Sequence, residues 1–159
     1  MPDLTSLANN VGEKLKTRGD TIAVTESSTG GLISAALLAV PGASAYFVGG
    51  SVVYTLESRK KILGITREDV AGMEPLTAEM VSAFAQKARA QLATTWAISE
   101  LGVAGPTGAR YGHPPGLSVI GIDGPRPMTI EVNTGDDNRE ANMWKFTQAA
   151  LELLEQALE

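Results

Sequence analysis

The stretch TESSTGG at 25–31 sets three hydroxyl residues and two glycines between two apolar runs. A serine in such a turn can attack a carbonyl carbon while neighbouring N–H groups hold the developing oxyanion. Ser27, Ser28 and Thr29 supply the hydroxyls, and Gly30 and Gly31 let backbone approach a ligand closely. Where a strand feeds a helix N-terminus, unpaired amides and the helix dipole favour negative charge. The plainer reading makes Ser28 or Thr29 a helix cap and Glu26 a solvated acid. A second turn, GVAGPTGA at 102–109, also follows an apolar run. Its three glycines and proline would expose amides suited to a phosphate or an oxyanion, or would form an ordinary connection. It matches neither the phosphate-loop nor the dinucleotide glycine spacing.

A nucleophilic serine needs a proton acceptor. The most basic run, YTLESRKK at 54–61, contains lysines, and a lysine can serve if burial or nearby cations depress its pKa. Arg59 cannot, because a guanidinium stays protonated; it could instead bind an anion. The same run reads equally as a solvated helix face. His113, the only imidazole, lies in a loop between Gly112 and Pro114. Arg139, within TGDDNRE, could reach a phosphate or pair with the acids around it. Trp96 and Trp144 sit on apolar faces and read as core.

These residues need elements to position them. Residues 4–18 have apolar side chains at helical spacing and end at Gly19, which predicts an amphipathic helix. TIAV at 21–24 suits a strand buried on both faces. A helix follows over 31–40, stopped by Pro41 and Gly42, then a strand over 46–55 and a short helix over 57–64. Thr66 and Asp69 have capping-box spacing. The clearest helix spans 76–93, with Thr77 as cap and Met80, Val81, Phe84, Ala88 and Leu92 on one side. A strand at 96–105, a loop at 106–116, a hairpin around GPRP and a long helix over 138–158 complete the chain. Strands interleaved with helices predict a single α/β domain over 1–159, a three-layer α/β/α arrangement with a mixed, mostly parallel sheet.

Composition narrows the chemistry. The chain has 159 residues, 43% of them hydrophobic, enough for one core without staples. Its net charge of −5 and lack of a basic block argue against nucleic acid as a partner. With no cysteine, thiol catalysis, thiolate zinc sites and disulfides are excluded, which fits a cytoplasmic protein. One histidine and no clustered acids point to no metal. MPDLTSLANN lacks the apolar core of a signal peptide or membrane span.

Taken together, TIAVTESSTGGLISAALLAVPGASAYFVGGSVVYT, LGI, GVAGPTG and PPG resemble the C-terminal domain of the CinA competence/damage-inducible proteins, whose stand-alone members are nicotinamide-nucleotide amidases. The resemblance implies that Ser27 is the nucleophile, that Tyr54 is the tyrosine of the second strand, and that the substrate is nicotinamide mononucleotide, hydrolysed to the acid nucleotide and ammonia. It further implies a pocket of Ser27, Ser28, Thr29, Gly30, Gly31, Tyr54, Gly105 and Gly108, whose glycine turns hold phosphate or oxyanion. No cofactor is implied, and self-association is.

The chain departs from the family at the proposed site. The family usually reads YSNEAK where this chain reads YTLESR, so the place of the catalytic lysine falls on Arg59. Lys60 is one residue later, about 100° away on a helix. Leu101 replaces a common hydroxyl, Arg139 meets the family's arginine only after a small shift, and Met143 and Trp144 stand where basic residues are common. Two readings follow. In one, Ser27 attacks a carboxamide with Lys60 as base and Arg59 binding anion; in the other, the domain binds a nucleotide or other phosphorylated ligand without turnover. A third role, subunit association through YFVGG, competes with that segment being a buried strand.

Overall fold

The computed structural model describes residues 3–159; Met1 and Pro2, the start of the expected domain, lie outside the described residues. Its five strands are β1 (Ile22–Glu26), β2 (Phe47–Val52), β3 (Trp96–Val103), β4 (Leu117–Asp123) and β5 (Met128–Asn133). They form one sheet in the order β2-β1-β3-β4-β5. β1 is parallel to both its neighbours, whereas β3–β4 and β4–β5 are antiparallel. The sheet is mixed as expected, but its pairings divide evenly, and only by direction do most strands agree. The cause is the 104–116 connection, which contains no helix to carry a parallel crossover, so β4 must return antiparallel. β1 is buried at every position, while the edge strands β2 and β5 alternate.

Three helices cover one face: α1 (Thr5–Arg18), α2 (Leu32–Leu38) and α5 (Arg139–Ala157). Leu15, Ile33, Leu37, Ile98, Ile120, Leu151 and Leu154 fill the layer between them and the sheet. On the other face lies α4 (Ala78–Leu92), capped by the Thr77 hydroxyl, with Val81, Phe84 and Ala88 against Ala23, Ala97 and Val119. Leu92, expected on the same side, is exposed at the last turn. Trp96 is fully buried. Trp144 is half-buried instead, walling a groove of about 310 Å³ with Leu4, Leu32, Ala35 and Val40. Among the described residues no helix is long and apolar enough to cross a membrane.

Two predicted helices are shorter or different in kind. α2 ends before Pro41, which has no N–H to continue it, and Gly42 then turns the chain at φ 85°. The helix expected over 57–64 is one α turn, α3 (Leu56–Ser58), held by a Thr55–Ser58 capping box and running into a π-helical turn, Arg59–Leu63. The angle expected between successive residues of an α-helix therefore does not carry over to Arg59 and Lys60. Thr66 and Asp69 exchange their predicted bonds, at 2.8 and 3.2 Å, but head only a turn.

Candidate active site

β1 does not stop at its apolar residues; it runs on through Thr25 into Glu26, which is fully buried. The Glu26 side chain folds over the start of α2. Its Oε1 accepts from the Thr29 hydroxyl at 2.7 Å, Gly31 N–H at 2.9 Å and Ile33 N–H at 3.2 Å. Oε2 accepts from Ser34 N–H at 3.0 Å and the Ser34 hydroxyl at 2.8 Å. Far from being solvated, this carboxylate fills the anion position at the helix start.

A second buried carboxyl lies beneath the turn. Glu100 on β3 is fully buried, and its Oε2 accepts from the N–H groups of Ser27 and Thr29, each at 3.1 Å. The same oxygen is 3.1 Å from the Thr29 hydroxyl. Oε1 is bonded to the Ser28 hydroxyl and to the Ser118 hydroxyl of β4 at 3.1 Å. Burial pushes the Glu100 pKa up from its ordinary 4.5, and these hydrogen bonds oppose the shift. The cluster needs Gly102: a Cβ there would stand 2.5 Å from Ser28 Oγ and 2.7 Å from Glu100 Oε1.

These contacts sort the three hydroxyls. Ser28 and Thr29 are tied down by Glu100 and Glu26. Ser27, 4% exposed, makes no side-chain hydrogen bond among the described residues, yet its Oγ is not one of the polar atoms sealed from solvent without a partner. Ser27 therefore holds the one uncommitted hydroxyl of the turn. The expectation that Gly30 and Gly31 amides hold a phosphate or oxyanion needs correction, since Gly30 N–H goes to Ser27 O at 3.1 Å and Gly31 N–H to Glu26. Ser28 N–H makes no hydrogen bond within the described protein, nor do the amides of Gly105, Thr107 and Gly108 in the second glycine turn.

The basic and aromatic residues approach from β2 and α5. Val53 N–H donates to Glu26 O at 2.8 Å, which sets the end of β2 beside the hydroxyl turn. Tyr54 follows, and its phenol oxygen accepts from Arg139 Nη2 at 3.1 Å, while Arg139 Nη1 donates to Gly105 O at 2.7 Å. The structure thus brings Tyr54, Gly105 and Arg139 together. Arg59 is half-buried: its Nε–H reaches Val53 O at 3.3 Å, and the guanidinium stacks 5.3 Å from the Phe84 ring centroid. Burial lowers its pKa from the ordinary guanidinium value, and Tyr111 and Glu100 oppose the shift. Lys60 is exposed, with no hydrogen bond or ion pair among the described residues.

The second glycine turn is tightly packed. Gly105 has φ 103°, precedes a cis peptide bond to Pro106, and its Cβ position lies 2.6 Å from Asp137 O. Gly108 has no room for a side chain against His113 O. His113 packs its ring edge against Tyr111 and hydrogen-bonds none of the serines through its side chain. Asn142, fully buried on α5, ties Ala104 O and Asp136 O together at 2.8 Å each. Glu100 and Asn142 are residues of this candidate site that reasoning from sequence missed. The signal for Glu100 was an acid interrupting the apolar run WAISEL. Among the described residues no group of three or more His, Cys, Asp or Glu is arranged to hold a metal ion.

The CinA C-terminal domain profile matches residues 4–158. A CinA-like protein from Trichormus variabilis is 39% identical over 120 residues, 76% of this chain and 29% of its own length. The chain spans about a third of the length of the curated relatives it matches, 36% and 29% for two of them. Among solved structures, the competence/damage inducible protein CihA from Agrobacterium tumefaciens superposes with TM-score 0.90 at 26% identity, covering 100% of this chain and 98% of that one. A CinA superfamily protein from Klebsiella pneumoniae gives TM-score 0.91 at 24% identity, over 99% and 98% of the two chains, a likeness of fold.

Proposed function

Because the chain belongs to the CinA C-terminal domain family, we propose that it binds an amide-bearing nucleotide over the Ser27 turn, nicotinamide mononucleotide being the substrate class the resemblance implies, and that hydrolysis of the amide is impaired. The observation that supports this reading is the disposition of Arg59 and Lys60 after β2. Arg59 is the one that turns inward, against Phe84 and Val53 O, while Lys60 stays in solvent.

Hydrolysis by the family's route would begin with Ser27 Oγ attacking the carboxamide carbon. The serine proton must pass to a base and then to the leaving nitrogen, so that ammonia departs and water later releases the acid nucleotide. Arg59 cannot perform the first transfer. Burial lowers its pKa, but from so high a start that the guanidinium remains charged at neutral pH. What Arg59 and Arg139 can do is hold anionic oxygens, with the uncommitted amides of Gly105, Thr107 and Gly108 as further donors.

One experiment tests both halves. Nicotinamide mononucleotide should raise the melting temperature of the wild-type protein by mass action, with ammonia release at least about 100-fold slower than from Arg59→Lys, whose amine can act as base. Ser27→Ala should abolish release in the Arg59→Lys background. Wild-type turnover that Arg59→Lys does not improve rejects the impairment, and the absence of any ligand-induced stabilisation rejects the binding.

A further inference from the structure

Glu26 and Glu100 are both fully buried, and a single hydroxyl, Thr29 Oγ1, lies within hydrogen-bond distance of both. Neither carboxyl forms an ion pair among the described residues. Thr29 has one proton to donate, and its shorter contact, 2.7 Å, goes to Glu26 against 3.1 Å to Glu100. Two negative charges one hydroxyl apart, away from water and without a contacting cation, are costly, so one proton is expected on the pair.

The contacts indicate which carboxyl carries it. Both oxygens of Glu26 receive backbone N–H groups, Oε1 from Gly31 and Ile33 and Oε2 from Ser34, beside the hydroxyls of Thr29 and Ser34. Glu100 differs at its two oxygens. Oε2 receives two backbone N–H groups and is an acceptor. Oε1 faces only the hydroxyls of Ser28 and Ser118, and a hydroxyl can accept as readily as it donates. Ser118 has an alternative acceptor for its own proton, Leu101 O at 3.2 Å. A proton on Glu100 Oε1 leaves every group in the cluster with a compatible partner.

We propose that Glu100 is the positioning residue of this site and works as a neutral carboxylic acid: its protonated Oε1 is shared with the Ser28 and Ser118 hydroxyls while Oε2 holds the Ser27 and Thr29 amides, so that Ser27 alone is presented to ligand. Burial of Glu100 is consistent with the neutral form. The charged and titratable groups around Glu100 are Glu26 across Thr29, which disfavours a second negative charge, and Arg59, which interacts with it at longer range. Because the folded-state pKa lies above the unfolded value, the stability from this group is fully present below the ordinary 4.5 and is lost as pH rises through the folded pKa.

The role of Glu100 in presenting Ser27 rests on the ligand-binding reading, but its protonation does not, and the test separates the two. In the intact protein, 13C NMR should show the Glu100 carboxyl at its protonated shift through pH 7. Glu100→Gln, which keeps one donor and one acceptor in the same shape, should retain amide-exchange protection at Ser27 and Thr29 within about threefold and nicotinamide mononucleotide affinity within about threefold. Glu100→Ala should lose at least about tenfold in protection. The melting temperature of Glu100→Gln should gain on wild type as pH rises from 4.5. A Glu100 signal that titrates near its ordinary value, or a Gln variant that loses protection as Ala does, overturns the proposal even if Glu100→Ala fails to fold. Loss of ligand affinity in wild type, with these exchange and titration results intact, would instead count against the binding reading alone.

Discussion

The two glycine turns at the ends of β1 and β3 look alike in composition and sit side by side, but they use their amides in opposite ways. At the first, Glu26 and Glu100 take up the N–H groups of Ser27, Thr29, Gly31, Ile33 and Ser34. At the second, Gly105, Thr107 and Gly108 leave theirs unpaired within the described protein. In the first turn only the Ser28 amide and the Ser27 hydroxyl stay without a partner among the described residues. Under the proposed function, the second would supply the donors for a phosphate or oxyanion. Glycine content at a strand end indicates a sharp turn; only the destination of each N–H tells whether an anion can bind there.

Removing the internal carboxylate is the strongest way to break this contrast. Glu26→Ala strands three amides and two hydroxyls, all at the start of α2. With each buried unsatisfied group costing roughly 1–3 kcal/mol and water rescuing some, stability should fall by at least about 4 kcal/mol in urea denaturation. Added phosphate should recover part of that loss by entering the vacated position. A loss below about 1 kcal/mol would mean the first turn does not depend on its own acid.

Gly102→Ala probes the same turn from beneath. Its Cβ would collide with Ser28 Oγ and Glu100 Oε1, and both atoms are already held by hydrogen bonds and cannot yield cheaply. Overpacking of this kind costs about 1–3 kcal/mol, and thermal unfolding should show it together with weaker nucleotide affinity. Undiminished stability and affinity would mean the Ser28–Glu100–Ser118 cluster is soft.

The smallest stability effect belongs to the second turn. Arg139 is exposed, so Arg139→Gln should change stability by less than about 1 kcal/mol. Affinity for nicotinamide mononucleotide should nevertheless fall about tenfold, as expected from losing one charge-assisted contact, when measured by calorimetry at low salt. A variant that loses stability but keeps affinity would assign Arg139 to tying α5 to Gly105 and Tyr54, and would move the anion site elsewhere.

The layered α/β arrangement, the helix over 76–93 with its Thr77 cap, the buried first strand and the late hairpin were all legible from periodicity, because each depends on side chains close together in sequence. The π turn at Arg59–Leu63 was not, since RKKIL carries no signal that separates one helical winding from another. The even division of strand pairings was missed for a related reason: a loop of 13 residues, 104–116, states its length but not its direction of return.

By itself the sequence determined which groups were available: a serine turn with no cysteine, one histidine, and arginine where the family resemblance expects lysine. It determined too that a guanidinium cannot take a proton, wherever the fold puts it. Only the tertiary structure decided which hydroxyl stays free and which cation turns inward. Glu26 acts on residues a few positions away, but Glu100 reaches the same turn from 71–73 residues along the chain. Hydrogen bonds are short-ranged in space and indifferent to that separation, so the pairing that commits Ser28 and Thr29 exists only once β1 and β3 lie side by side.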